Sequence, residues 1–144
     1  MGEKIRIICV GKVKEAYLRE GISEYEKRLR PFCKLETIEL KDEGIEKEGK
    51  RIEKLIDSNT FLLDVEGKEY NSIEFSKLMK KETEGGKQIT FIIGSAEGIE
   101  ENLKKKANLF SLSKMTFTHE MARLFLIEQI YRSYMINSGR SYHK

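Results

Sequence analysis

Apolar and polar residues follow two patterns along the chain, one typical of buried strands and one typical of helices. Short apolar runs with few charges predict strands that are buried on both faces of a sheet. These runs are Ile5–Val10, Thr60–Val65 and Gln88–Gly94, and the alternating segment Lys34–Leu40 predicts a further strand. Between them, charged segments carry apolar residues at helical spacing. The helices predicted in this way are Lys14–Leu29, Ser72–Glu84 and Ile99–Leu109.

Residues that break helices mark the ends of two of these segments. Pro31, the only proline, follows the first helix, and Gly85–Gly86 ends the second. The segment Lys41–Lys50 is dense in charges and holds two glycines. It predicts a connection that either frays or leads into a helix, and we leave both alternatives open. The apolar residues of such a helix are Ile52, Leu55 and Ile56.

Regular alternation of strands and helices predicts an α/β fold with a single, mostly parallel sheet flanked by helices. No internal repeat or linker divides the chain, so we expect one domain over residues 1–144. In sheets of this kind, ligands bind at the carboxyl ends of the strands. The turns that follow the strands are therefore the places to search for a site.

The segment Ser111–Met135 has an unusual distribution of apolar residues. It begins with a short run that predicts an extended strand through Leu112, Met115 and Phe117. Thr118 then stands where a helix N-cap is needed, before a helix of about five turns. Apolar residues lie on two sides of this helix, one formed by Met121, Leu124, Phe125 and Met135 and the other by Leu126, Ile127, Ile130 and Tyr134. One side can pack on the sheet and the other on a second subunit, which predicts a homodimer.

Composition narrows the class of protein. Charged residues make up 35% and apolar residues 39% of the 144 residues, as in globular domains. We expect neither a membrane span nor a signal peptide, because no apolar run approaches about 20 residues. Cys9 and Cys33 are too few and too far apart for a metal motif, so we expect no metal and two free thiols in a reducing cytoplasm.

Net charge is only +3, but the C-terminal end of the chain is locally basic. From residue 121 onward the basic residues are Arg123, Arg132, Arg140 and Lys144, and Glu128 is the only acid. This distribution suits a polyanionic partner such as nucleic acid. An uneven charge map without function is an equally good interpretation at this point.

Two turns carry candidate chemistry. Gly94–Gly98 joins a buried strand to a helix, and its glycines either let a ligand approach the backbone or relieve crowding. The turn lacks the dinucleotide and P-loop patterns. His119 and Glu120 begin like the zinc motif H-E-x-x-H, but Arg123 stands where the second histidine is required. Arg123 itself must meet an anion, which is either a local carboxylate such as Glu120 or Glu97, or a phosphate.

The last three residues are Tyr142, His143 and Lys144. An aromatic ring, an imidazole and a cation can together stack on a base, accept a proton and hold a phosphate. The alternative is an ordinary frayed chain end.

Three stretches in this order carry a family resemblance: FIIGSAEG, LSKMTFTHEMARLFLIEQIYR and the terminal YHK. They resemble the RlmH-type SPOUT methyltransferases, and the resemblance covers the whole chain. Two departures concern loop geometry: Ser95-Ala96 replaces the Gly-Pro of many relatives, and Thr118 replaces a proline. The resemblance implies an α/β fold with a C-terminal deep trefoil knot, a homodimer, and S-adenosylmethionine as methyl donor.

The resemblance also implies the reaction and the residues that take part. The acceptor is N3 of a pseudouridine (position 1915) in helix 69 of 23S ribosomal RNA, methylated on the assembled 70S ribosome. Cofactor contacts fall on Leu63, Gly94, Leu112, Ser113, Lys114, Met115, Thr116 and Phe117. Catalytic roles fall on His143 and Tyr142, and contacts to RNA on Arg123, Arg140 and Lys144. Two other functions stay open: a noncatalytic ribosome-binding factor with this fold, and a SPOUT enzyme that modifies transfer RNA.

Overall fold

Strands and helices alternate along the chain, as the sequence pattern predicts. The computed structural model describes residues 3–144. The strands are β1 (Glu3–Val10), β2 (Cys33–Leu40), β3 (Thr60–Glu69), β4 (Gln88–Ile93) and β5 (Asn108–Ser111). The helices are α1 (Ala16–Leu29), α2 (Ile45–Glu53), α3 (Ser72–Glu82), α4 (Glu101–Lys104) and α5 (His119–Asn137), with a 3-10 turn at Glu84–Gly86. The predicted α/β class is confirmed.

All five strands are parallel and form one sheet in the order β2-β1-β4-β3-β5. The two faces of β1 belong to different cores, because successive side chains point to opposite sides. Ile5, Ile7 and Cys9 pack on the side covered by α1, α3 and α5. Ile8 and Val10 pack on the side of α2 and α4. Burial on both faces explains why the strand reads as one apolar run.

The predicted helix over Ile99–Leu109 is wrong. Only the single turn of α4 forms, and the chain then enters β5. Asn108, Leu109 and Phe110 pair with β3 at the edge of the sheet, and Phe110 is almost fully buried. Strand pairing and the burial of one aromatic side chain outweigh the helical spacing of the charged residues.

The predicted strand through Leu112, Met115 and Phe117 is also wrong. Residues 112–118 form an irregular loop beyond the end of β5. Serine hydroxyls hold its backbone locally: Ser111 Oγ accepts the N–H of Ser113 at 3.2 Å, and Ser113 Oγ accepts the N–H of Met115 at 3.0 Å. Such side-chain bonds compete with strand pairing. The strand therefore lies earlier in the chain than its sequence pattern indicated.

β3 continues past its predicted end at Glu66-Gly67. Its register with β5 shifts between Leu63 and Lys68, which is a bulge, and pairing then resumes. A Cβ atom on Gly67 would lie 2.5 Å from the backbone nitrogen of Phe110. Glycine is therefore required here by the close approach of the two strands.

The charged connection after β2 forms a helix, which was one of the two alternatives. α2 begins earlier than Ile52 and ends before Leu55 and Ile56. The buried carboxylate of Glu48 accepts the N–H groups of Glu43 and Gly44, both at 2.9 Å, and so satisfies donors at the start of the helix. These bonds explain how a charge-rich segment becomes helical.

α5 has the predicted cap and length. Thr118 Oγ1 accepts the N–H of Met121 at 3.1 Å, and the helix runs for 19 residues. Every residue from His119 to Ile136 is buried or half-buried. Within residues 3–144, no helix has the length and apolar character needed to cross a membrane.

Both cysteines are free, as predicted. Cys9 lies in β1 and Cys33 begins β2, and each is buried. Burial raises the pKa of each thiol to about 11. Both are therefore protonated, unreactive core residues at neutral pH.

Candidate functional site

A cleft of about 750 Å³ opens at the carboxyl ends of β4 and β5 and beside the middle of β3, where the pairing of β3 with β4 ends. Its remaining walls are the loop 112–118 and the first turn of α5. Seven of the eight residues predicted to contact a cofactor line it: Leu63, Gly94, Leu112, Ser113, Met115, Thr116 and Phe117. The eighth, Lys114, is exposed in the same loop and does not line the cleft. The fold thus gathers residues from three separate parts of the chain at one edge of the sheet.

Apolar side chains at this cleft are left uncovered. Met115 is 74% exposed and Phe117 is 37% exposed. Phe117 is held by Phe125 of α5, with ring centroids 5.0 Å apart in an edge-to-face arrangement. A cleft of this volume with apolar walls and a few polar groups is typical of small-molecule sites.

The glycine turn at the end of β4 is required by packing. A Cβ atom on Gly94 would lie 2.5 Å from Cγ1 of Ile99 and 2.9 Å from the carbonyl oxygen of Gly98. Gly98 itself has φ of 92°, and its N–H donates to the carbonyl of Ser95 at 2.9 Å. Crowding therefore accounts for Gly94, whereas Gly98 has open space around it and is favoured by its positive φ. Both glycines line the cleft.

Sequence reasoning missed an ion pair in the cleft wall. Lys104 Nζ lies 3.0 Å from Oδ2 of Asp64, whose side chain is only 10% exposed. Burial alone would raise the pKa of Asp64. The N–H of Glu66 and the Lys104 ammonium outweigh this effect and lower the pKa. The available signal was an acidic residue directly after Leu63, within the apolar run Thr60–Val65.

The first turn of α5 also lines the cleft through His119 and Glu120. Glu120 does not pair with Arg123. Its Oε1 accepts the backbone N–H of Lys14 at 2.8 Å, across to the loop that follows β1. The N–H of Glu15 reaches the same oxygen at 3.4 Å.

Arg123 forms the ion pair that was one of its two alternatives, but with an unexpected partner. Its Nη1 lies 2.7 Å from Oε2 of Glu39, in β2, rather than near Glu120 or Glu97. The Arg123 side chain is 12% exposed. In this structure its charge is neutralised by Glu39. Of the three residues predicted to contact RNA, Arg123 is therefore the least available to a phosphate.

The C-terminal tail is docked and not frayed. Tyr142 donates to Oε2 of Glu128 at 2.8 Å and shares a hydrogen bond with the hydroxyl of Tyr25 at 3.1 Å. Its ring packs edge-to-face on Tyr131, with centroids 4.9 Å apart. The Arg132 guanidinium lies 4.8 Å from the ring centroid of Tyr142.

His143 and the two remaining basic residues lie at the exposed end of this tail. Arg132 Nη1 and His143 Nδ1 are 3.0 Å apart, and the guanidinium can only donate, so Nδ1 accepts. Arg140 lies over the ring of Phe32, 4.9 Å from its centroid. Arg140 and Lys144 are both exposed.

Tail and cleft lie apart within one chain. Neither Tyr142 nor His143 lines the cleft. Arg132, which holds His143, stands about 18 Å further along α5 than Glu120 at a rise of 1.5 Å per residue. The tail instead docks beside a second hollow of about 510 Å³, which Glu128 lines and which shares Leu112 and Phe117 with the cleft.

Tyr142 is suited to donate a hydrogen bond and not to act as a base. Burial raises the pKa of Tyr142, and its hydrogen bonds with Tyr25 and Glu128 raise it further. Its hydroxyl therefore stays protonated at neutral pH.

Among residues 3–144, no group of three or more His, Cys, Asp or Glu side chains is arranged to hold a metal ion.

Comparisons with known proteins show the family to which the chain belongs. The family described as "Predicted SPOUT methyltransferase" matches residues 3–143. Proteins named ribosomal RNA large subunit methyltransferase H, from Streptococcus pyogenes serotypes M12, M49 and M3, are each 46% identical to the chain. These alignments cover 98% of this chain and 99% of each relative. The match over nearly the whole length, together with the parallel sheet and the cleft at its carboxyl edge, places the chain in the SPOUT methyltransferase family.

Proposed function

We propose that the chain is an S-adenosylmethionine-dependent methyltransferase of ribosomal RNA, acting on N3 of the helix 69 pseudouridine in the 23S molecule. The observation that carries the proposal is the cleft, which gathers seven of the eight expected cofactor residues at the carboxyl edge of the sheet. The relatives named as large-subunit methyltransferases support the substrate class. The trefoil knot remains an expectation from the family resemblance.

The lining of the cleft fits the methyl donor. Leu63, Leu112 and Phe117 offer apolar surface for adenine, and exposed Met115 can close over it. The lining also contains more carboxylates than cations: Asp64, Glu66 and Glu120 against Lys104. A surplus of negative charge favours a sulfonium cation.

When bound, S-adenosylmethionine supplies an electrophilic methyl carbon, and methyl transfer needs no metal. The task of the protein is to place the acceptor nitrogen in line with that carbon. N3 of a pseudouridine carries a proton and is poorly nucleophilic until the proton leaves. His143 is the residue that we assign to accept this proton, and Tyr142 positions it through the docked tail.

The distance between tail and cleft within one chain supports a site shared by two subunits. In a homodimer, the tail of one subunit can lie over the cleft of its partner. To accept a proton at Nδ1, His143 must leave Arg132, which now occupies that nitrogen. Arg140 and Lys144 are exposed near the same tail and are assigned to RNA phosphates.

Two alternative functions are tested against this proposal. A noncatalytic ribosome-binding factor would have no use for the open apolar cleft, and calorimetry would find no uptake of S-adenosylmethionine. A transfer-RNA enzyme would keep the cleft but choose another acceptor. We expect activity in the cytoplasm, where assembled ribosomes are found.

The decisive experiment compares three acceptors side by side: 70S ribosomes, free 23S RNA and transfer RNA. We expect methyl transfer to ribosomes and poor transfer to the free RNAs, because a small interface gains affinity from a preformed, shaped target. Mapping of the product must then place the methyl group on N3 of the pseudouridine. Preferred transfer to transfer RNA, or none to any acceptor, would overturn the proposal.

A further inference from the structure

The loop between β1 and α1, residues 11–15, adjoins the cleft and has so far been given no role. Val13 is its buried anchor, at 8% exposure. Lys12 and Lys14, on either side of it, are exposed. Lys12 shares a shallow depression with His119 and Arg123, and this depression shares His119 and Glu120 with the cleft.

Side chains from elsewhere in the fold hold this loop in one conformation. Glu120 accepts the N–H groups of Lys14 and Glu15 from one side. Arg19 donates from the other side, to the carbonyl oxygens of Val13 at 3.1 Å and Lys14 at 2.6 Å. Backbone N–H groups and carbonyl oxygens of the loop are both hydrogen-bonded to side chains. Little backbone freedom is therefore lost when the lysines of this loop bind a ligand.

The two ammonium groups on this loop are not neutralised. Within residues 3–144, neither Lys12 nor Lys14 has a carboxylate oxygen within 4.0 Å of its nitrogen. Nearby carboxylates are engaged otherwise: Glu39 pairs with Arg123, and Glu120 is bound to backbone N–H groups. Glu15 is exposed on the same loop and is the one acidic side chain of residues 11–15.

We infer that Lys12 and Lys14 bind phosphates of the RNA on either side of the target nucleotide. The inference rests on the proposed function and adds a contact surface on the cleft-bearing subunit itself. A nucleotide that enters the cleft carries its flanking phosphates across the rim of the cleft. Exposed cations on a rigid loop at that rim are suited to fix the register of the RNA strand.

The test uses the double variant Lys12→Ala/Lys14→Ala in the full-length chain. We expect a rise in KM for 70S ribosomes on the order of tenfold, with kcat and the Kd for S-adenosylmethionine unchanged. The slope of log affinity against log salt should fall in magnitude by roughly 1 to 2, as for one or two lost phosphate contacts. The variant Lys12→Arg/Lys14→Arg should restore both values.

A matched control removes the same charge at the opposite edge of the sheet. Lys81 lies in the last turn of α3 and Lys87 directly precedes β4, and both are exposed. They stand about 20 Å from the carboxyl edge, at 3.3 Å per strand residue. Lys81→Ala/Lys87→Ala should leave KM and the salt slope as in the wild type.

Filter binding of ribosomes across a salt series provides a readout that does not depend on methyl transfer. Equal affinity and slope for the lysine variant and its control would overturn the inference. So would a loss confined to S-adenosylmethionine binding, which would assign the lysines to the carboxylate of the cofactor. Failure of the proposed function is seen separately, as the absence of methyl transfer by the wild type.

Discussion

Met115 is the residue at which the cofactor cleft can be tested with the least disturbance of the fold. Its side chain is 74% exposed and lines the cleft. Met115→Glu should reduce affinity for S-adenosylmethionine at least tenfold, because a carboxylate replaces apolar surface against the adenine. The melting temperature should stay unchanged, and calorimetry gives the affinity. The control is Lys114→Ala, which changes the neighbouring residue outside the cleft lining. If Lys114→Ala reduced the affinity for S-adenosylmethionine more than Met115→Glu does, the cleft would not be the cofactor site.

His143 is the residue assigned to take the proton of the acceptor. His143→Ala should lower single-turnover methyl transfer about 100-fold at saturating cofactor, as expected for loss of a general base. Turnover should fall by more than cofactor affinity does, because His143 is assigned to the proton of the acceptor and not to binding of the cofactor. The other histidine, His119, does line the cleft. If His119→Ala abolishes transfer and His143→Ala does not, the base is misassigned.

The lowered pKa of Asp64 predicts how the stability of the fold changes with pH. A carboxyl whose pKa is lowered in the folded state stabilises the fold above its ordinary pKa of 3.8, and this stabilisation is lost as pH falls through the lowered value. Asp64→Asn should therefore reduce the free energy of unfolding by about 1 kcal/mol at neutral pH, and the difference should shrink below about pH 4. Denaturant unfolding at several pH values measures it. Glu101→Gln, at the 82% exposed partner of Lys104, should have little effect at any pH.

At the scale of elements, the contact between β3 and β5 positions the loop that forms the cleft. Gly67 approaches the backbone of Phe110 and Leu109 so closely that no Cβ fits. Gly67→Ala should displace β5, cost more than about 2 kcal/mol of stability, and weaken cofactor binding through loop 112–118. Thermal unfolding and calorimetry test both effects. Val65→Ala, at an exposed position of the same strand, should change stability by less than about 0.5 kcal/mol.

At the scale of the whole molecule, the separation of tail and cleft predicts a site built from two subunits. A mixture of Met115→Glu subunits with subunits lacking Tyr142–Lys144 tests this directly. At S-adenosylmethionine concentrations well below the Kd of the Met115→Glu variant, each variant alone should be nearly inactive, but the heterodimer would join an intact cleft to an intact tail. Random assortment should restore roughly a quarter of wild-type activity.

The outcomes of this mixing experiment separate the two arrangements. If the tail acts on its own chain, no heterodimer has a complete site and no activity returns. Light scattering of the wild type provides the control for assembly. A stable monomer at micromolar concentration would contradict the dimer expected from the two apolar sides of α5 in the sequence.

The sequence by itself determined the features that depend on near neighbours. The apolar runs of β1 and β4 and the Thr118 cap were all predictable, because each is set by residues a few positions apart. The residues expected to contact the cofactor were named through family resemblance, and the structure brings seven of these eight residues to one cleft. The position of β5 was not predictable, because pairing with a distant strand overruled a local helical pattern.

Only the tertiary structure decided which distant groups meet. Glu39 lies 84 residues from Arg123, and Tyr25 lies 117 residues from Tyr142, so no local pattern could pair them. The same holds for Asp64 with Lys104 and for Glu120 with the loop that carries Lys12 and Lys14. Charged and hydroxyl groups can pair with many partners, and their choice follows from the order of strands in the sheet. Hydrophobic spacing fixes that a segment is buried, while topology fixes what lies against it.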